Sequence, residues 1–161
     1  MNFLRGNKKG GYGIIEVLIG AAVVSISFFS ISAVFQRSLQ INRENTRALQ
    51  AAFLLEEGIE AMRTIRDRGW TANIASTPVG ATRFFSFDGD SWEVVTSTTV
   101  VDGITRSFSV ANVYRDGTND ISETGTLDPD TRKIIVRILW ERNGTTTSRS
   151  LTSLITNINN D

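Results

Sequence analysis

Residues 17 to 35 contain no charged side chain, and their apolar positions follow no period. A helix built from them is apolar on every side, which suits lipid or the inside of a helical bundle. Nineteen residues at ~1.5 Å each are about enough to cross ~30 Å of hydrocarbon. Beyond Gln36 the pattern changes without a break. Leu49, Ala52, Leu55, Ile59 and Met62 recur at three-and-four spacing, and Glu56, Glu57, Glu60, Arg63, Arg66 and Arg68 lie mostly off that stripe. This is one amphipathic face. Glu60 can meet Arg63 one turn on, and basic residues gather in the last turn, where the helix dipole favours them. Gly58 is the only glycine from 36 to 68, proline is absent there, and Gly69 offers a stop. The pattern predicts one unkinked helix over residues 12 to 68, half apolar all round and half packed on a folded head.

After that helix the period falls to two. Residues 70 to 82 read as a loop with Pro78 and Gly80. Strands are expected at 83–87, 92–101, 104–114, 131–142 and 145–155. Asp102-Gly103 joins two of them as a tight type I′ turn, and Asn143-Gly144 joins two more. Ile134, Val136, Ile138 and Trp140 form an alternating apolar face. The polar stretch 115–130 reads as a loop. The expected fold class is α+β, with a long N-terminal helix packed on a C-terminal antiparallel sheet of four or five strands spanning 83–155. No cysteine or evident metal is needed for its core, so residues from about 40 onward should fold without the apolar segment.

Composition removes several kinds of chemistry. The chain has 161 residues, with 17 basic and 17 acidic side chains, no histidine and no cysteine. Ser-His-Asp and Cys-His nucleophiles and the usual zinc ligands are therefore excluded. Lysine occurs only at 8, 9 and 133, so a Ser-Lys dyad would have to use Lys133. An enzyme is not expected. The charge balance leaves no basic footprint for nucleic acid.

The residues just before the apolar run carry the most specific signal. Lys8 and Lys9 precede Gly10-Gly11, then Tyr12, then Gly13-Ile14-Ile15, and then Glu16. A carboxylate in hydrocarbon costs roughly 2.5 kcal/mol or more and tends to be functional. An ordinary secretory signal, with a shorter apolar core and a small-residue cleavage site after it, leaves Glu16 unexplained. Residues 8–35 resemble the class III signal of type IV pilins and of the pseudopilins of type II secretion: a basic leader, glycine, an aromatic first mature residue, and glutamate fifth after the cut. The resemblance implies a leader of residues 1–11, cleavage between Gly11 and Tyr12, and N-methylation of Tyr12. It implies a membrane and assembly segment over residues 12–36 and a head over residues 37–161. The implied partners are a prepilin peptidase/methyltransferase, the assembly machinery of the inner membrane, membrane lipid before assembly, and other pilin subunits through the N-terminal helix. The implied location is the cytoplasmic membrane with the N-terminus inside, then an extracellular or periplasmic fibre. Basic residues on the two sides of the span nearly tie, so orientation rests on the resemblance. Cleavage would remove Arg5, Lys8 and Lys9, leaving 14 basic against 17 acidic side chains, a net of about −3. Small size, the missing disulfide and the segment LLEEGIEAMRTIRDRGW favour a minor subunit.

Glu16 then has two readings. It can snorkel to the interface, or it can pair with the amine that processing creates on Tyr12 of a neighbouring subunit and so set the stagger between subunits. Gly20, Ala21, Ala22, Ser25 and Ser32 suit close helix contact, or simply the usual small residues of a membrane helix. Asp116, Asn119, Asp120 and Glu123 supply oxygen ligands for calcium, although the same letters are ordinary turn chemistry. Asp88-Gly89-Asp90 is a weaker version. Trp70, Trp92 and Trp140 read as core rather than a binding face. Asn143-Gly144-Thr145 matches a glycosylation sequon, which the turn explains. A single-pass protein displaying a binding domain, a DNA-uptake pseudopilin and a secreted enzyme are the alternatives.

Overall fold

The computed structural model describes residues 13–142 and 144–158. It contains one long helix, α1 (Ile14–Asp67), a π-helical turn (Thr71–Ala75) and seven strands: β1 (Arg83–Phe87), β2 (Trp92–Val95), β3 (Val100–Val101), β4 (Ile104–Arg115), β5 (Ile121–Ser122), β6 (Thr126–Arg142) and β7 (Thr145–Thr156). The chain divides into two compact units, Met1–Thr46 and Arg47–Asp161. The first is helical over its described residues from Ile14 on. The second is a helix laid on an antiparallel sheet.

The sheet runs β2-β1-β4-β6-β7, with β3 and β5 also pairing to β4. The α+β expectation holds, but the sheet has seven strands rather than four or five. Two short ladders make the difference. The segment expected as one strand over 92–101 breaks after Val95 into β2 and β3, and β5 forms inside the stretch expected to be loop. β6 also starts at Thr126, five residues before the expected strand. A bulge accounts for that. Asn112 pairs with Arg132 while Val113 pairs with Asp128, so residues 129–131 are looped out of register. Pro129 lies in this bulge, where a missing N–H costs no ladder bond. Arg132 Nη1 gathers the carbonyls of Asp128, Pro129 and Thr131 at 3.0–3.1 Å. Asp102 and Gly103 have φ of 51° and 74°, as the type I′ turn requires.

The second half of α1 buries Ala51, Leu55, Gly58, Ile59, Ala61, Met62 and Ile65. This corrects the expected stripe. Leu49 is 58% exposed and Ala52 is also exposed. The face in contact is set by small residues, Ala51, Gly58 and Ala61, which let the helix backbone approach the sheet. Weighting the large side chains rotates the stripe the wrong way. Facing them are Phe85, Ile104, Phe108, Val110, Ile134, Val136 and Ile138, all nearly inaccessible. The Phe85 and Phe108 rings lie 4.7 Å apart, and Trp92 meets Phe85 edge-on at 6.3 Å.

Helix α1 ends as the sequence suggests. Gly69 has φ 141° and its N–H donates to the Arg66 carbonyl at 2.9 Å. The following segment is not a plain loop. It turns into the π-helical turn, which buries Ile74, and Trp70 just before it is 3% exposed. Two apolar anchors four apart explain why this stretch is ordered despite Pro78 and Gly80. Trp140 is buried as well, and Trp92 packs against the core while half-exposed.

Candidate functional site

Gly11 and Tyr12 lie outside the described residues; Glu16 is within them. The helix opens at Gly13, whose carbonyl accepts the N–H groups of Glu16 at 2.9 Å and Val17 at 3.3 Å. Glu16 is therefore in the first turn, exposed, with apolar neighbours that are exposed too: Ile15 at 72%, Val17 at 62% and Ile19 at 60%. The helix is long and apolar enough to cross a membrane, with mean hydropathy 2.3 over its most apolar window and none of that window buried. That exposed surface must be covered by lipid or by other protein.

Three of the hydroxyls along it need no outside partner. Ser25, Ser27 and Ser30 donate to the carbonyls of Ala21, Val23 and Ile26 at 2.7, 2.9 and 2.8 Å. Each of these three hydroxyls is satisfied within the helix, as an apolar surround demands. From residue 14 to 35 that leaves Glu16 as the one side chain whose charge requires an external counterpart or water.

Sequence reasoning missed the main polar feature of the head. Arg106 is 7% exposed, on the core face of β4 between Ile104 and Phe108. Its guanidinium lies 4.8 Å from the Trp92 ring centre and 5.3 Å from that of Phe85, and Nη1 is 3.0 Å from Glu57 Oε2 on α1. Cation–π contact and a half-exposed carboxylate together offset its burial. Period-two alternation from Ile104 to Phe108 is the sequence signal that could have found Arg106. The arginine ties helix to sheet through the Glu57 ion pair.

Of the expected calcium residues, Asp116, Asn119 and Asp120 are engaged with one another. Asp116 Oδ1 accepts from the N–H of Thr118 at 2.9 Å, its hydroxyl at 2.7 Å and the Asp120 N–H at 3.0 Å. Those bonds, the Thr118 hydroxyl first, hold the Asp116 carboxyl below its usual range. Asn119 takes φ 70° to close the turn, and Arg115 Nη1 binds its carbonyl. Among the described residues no three acidic groups come together to hold a metal ion. Turn chemistry accounts for Asp116, Asn119 and Asp120, and Glu123 lies beyond the turn. Asp88 does the same job in the β1–β2 loop, accepting from Ser91 and Asp90, which lower its carboxyl.

Beside the bulge, Arg115 Nε donates to Asp128 Oδ2 at 2.7 Å, with the Asp128 side chain only 11% exposed. Burial alone would raise the Asp128 carboxyl, but Arg115 and the Asp130 N–H outweigh it and its pKa is lowered. A depressed carboxylate stabilises the fold above its unfolded pKa of ~3.9, and the contribution disappears as pH falls through the lower folded value. Asp128→Asn should therefore cost about 1 kcal/mol at pH 7. The gap to the parent should close in urea titrations as pH falls below 4. A gap unchanged at low pH would mean that the charge is not what matters. Asp88 and Asp116 are present in both proteins and cancel.

An open cleft of about 580 Å³ lies between the end of α1 and β2, lined by Arg68, Asn73, Ser76, Arg83, Trp92 and Glu93. Arg68 Nη1 binds the Trp92 carbonyl at 2.8 Å and Arg83 Nη1 that of Thr82 at 3.1 Å. No protein-family profile, curated protein or solved structure matches this chain.

Proposed function

We propose that this chain is a prepilin-type subunit, a minor pilin or pseudopilin, held in the cytoplasmic membrane by its apolar helix and then bundled into a thin fibre. The observation that carries the reading is the first turn of α1. A lone carboxylate sits there at the head of an apolar surface left uncovered on every side, and the same helix continues into a folded head. The resemblance of residues 8–35 to the class III signal supports it. In this reading the leader stays in the cytoplasm, a prepilin peptidase/methyltransferase cuts after Gly11 and methylates Tyr12, and the inner-membrane machinery extracts the product from lipid. Neighbouring subunits then cover the apolar helix. The role is structural, with no substrate turned over.

Processing is the direct test. N-terminal sequencing of the membrane-extracted protein should read YGIIE, and intact mass should report the missing leader together with one methyl group. Gly11→Val should leave the leader in place, because a small residue is needed for an extended backbone to enter the protease. An intact Met1, or a start beyond Phe35, would instead support a single-pass anchor or an ordinary secretory signal.

A further inference from the structure

We infer that the free edge of β7 is a docking strand, onto which an extended segment of another polypeptide adds with an acidic residue opposite Arg149. Of the two outer strands, β2 is four residues long and one of its carbonyls is taken by Arg68. The other, β7, is twelve residues long and pairs only with β6. Its register runs unbroken from Thr145 to Thr156, and it contains no proline and a single charge, Arg149. Natural edge strands are shortened, bulged, charged or covered so that they do not recruit other chains. Apart from the single charge of Arg149, none of these devices is present on β7 among the described residues.

The direction of its backbone groups follows from the register. Asn157 N–H donates to the Asp130 carbonyl at 2.8 Å, one step beyond the Thr156–Thr131 pair. Odd-numbered positions therefore turn their N–H and C=O towards β6, and even-numbered ones turn theirs outward. Thr146, Ser148, Ser150, Thr152 and Thr156 present free donors and acceptors, and Leu154 a free N–H, its carbonyl accepting from the Ser153 hydroxyl at 3.4 Å. Only another extended backbone satisfies such a row along its length.

The side chains specify what that backbone carries. Arg149 and Leu151 pair with Ile138 and Val136, so they stand on the helix side of the sheet. Both are exposed, Leu151 at 38%, and among the described residues Arg149 has no ion-pair partner. On an added strand, the residues opposite these two fall at non-hydrogen-bonded positions, where Cα atoms approach to ~4.5 Å. An acid opposite Arg149 and an apolar residue opposite Leu151 complete the pairing. A second β7 carries no carboxylate, so two copies joined β7 to β7 do not meet the requirement.

The probe is the capped peptide TVTETVT, which places valine next to glutamate on one face in either strand direction. It is titrated into the full chain in detergent micelles, with amide exchange followed by NMR. Saturable binding is expected, with slowed exchange at Ser148, Ser150 and Thr152. TVTKTVT should bind roughly tenfold more weakly at low salt. Arg149→Glu, at an exposed position, should reverse that order without changing the circular dichroism. N-methylation of alternate peptide amides should abolish binding. The inference is overturned if neither peptide saturates, if bound peptide leaves those amides unprotected, or if Arg149→Glu does not reverse the preference.

Discussion

Gly58→Leu is expected to destabilise the head by more than 3 kcal/mol, and Gly58→Ala by about 1–2 kcal/mol. Glycine inside a helix ordinarily costs ~1 kcal/mol relative to alanine, so an exposed glycine replaced in this way would gain stability. Here the sign reverses because the helix backbone lies against the sheet. A Cβ on residue 58 would stand 2.7 Å from Val136 Cγ1 and 3.6 Å from Arg106 Cδ. Val136 is short, branched and completely buried, so it has no rotamer into which to withdraw. Arg106 is held by Glu57, Phe85 and Trp92 and cannot swing away without losing them. The helix must lift instead, opening the contacts of Leu55, Ile59 and Met62 on either side. A double-mutant cycle isolates the cause. Val136→Ala alone leaves a cavity, but in the Gly58→Ala background it also relieves the collision, so its cost should fall by 1 kcal/mol or more. Urea unfolding of the four proteins measures this, and strict additivity would show that the close approach is not what requires glycine.

That glycine marks the boundary of what the sequence made legible. The long helix, its stop near Gly69 and the Asp102-Gly103 hairpin were all readable, because each depends on local periodicity or on a backbone angle few residues adopt. The face the helix buries was not readable to the same degree. Gly58 registers as a weak helix former, and nothing local says that Val136, nearly eighty positions on, needs the space. Arg106 was overlooked for the same reason. Its rings come from β1 and β2 and its carboxylate from α1, so only the assembled sheet shows why a cation sits there. The bulge at 129–131 and strand β5 were hidden because their residues are turn formers, recruited into pairing by the long neighbours β4 and β6. In the proposed site the opposite holds. Glu16 is conspicuous in sequence because a charge inside an apolar run contradicts its surroundings, and the fold places it in the first turn as the spacing suggested.

If the chain is the proposed fibre subunit, Glu16→Gln is expected to leave it synthesised and membrane-inserted while removing it almost entirely from the fibre. The substitution keeps size and shape and removes one charge. Insertion becomes no harder, because a neutral amide replaces an ionised carboxylate, so abundance in the membrane should not fall. Assembly becomes harder. In the proposed bundle the carboxylate neutralises the amine on Tyr12 of a neighbour, and leaving that amine unpaired among apolar helices costs about 3–5 kcal/mol. At ~1.4 kcal/mol per factor of ten, incorporation drops by two orders of magnitude or more. A purely local role predicts something else. A carboxylate in the first turn of a helix contributes only ~0.3–1 kcal/mol through the helix dipole, so glutamine would then assemble nearly as well as glutamate. Glu16→Asp sharpens the comparison, since it keeps the charge but shortens its reach by one methylene and should assemble at an intermediate level. The ratio of subunit in sheared fibres to subunit in membranes, compared across the three proteins, separates the two accounts. Parent-like incorporation of Glu16→Gln would remove the pairing with Tyr12 from the mechanism and leave Glu16 as a helix-end residue alone.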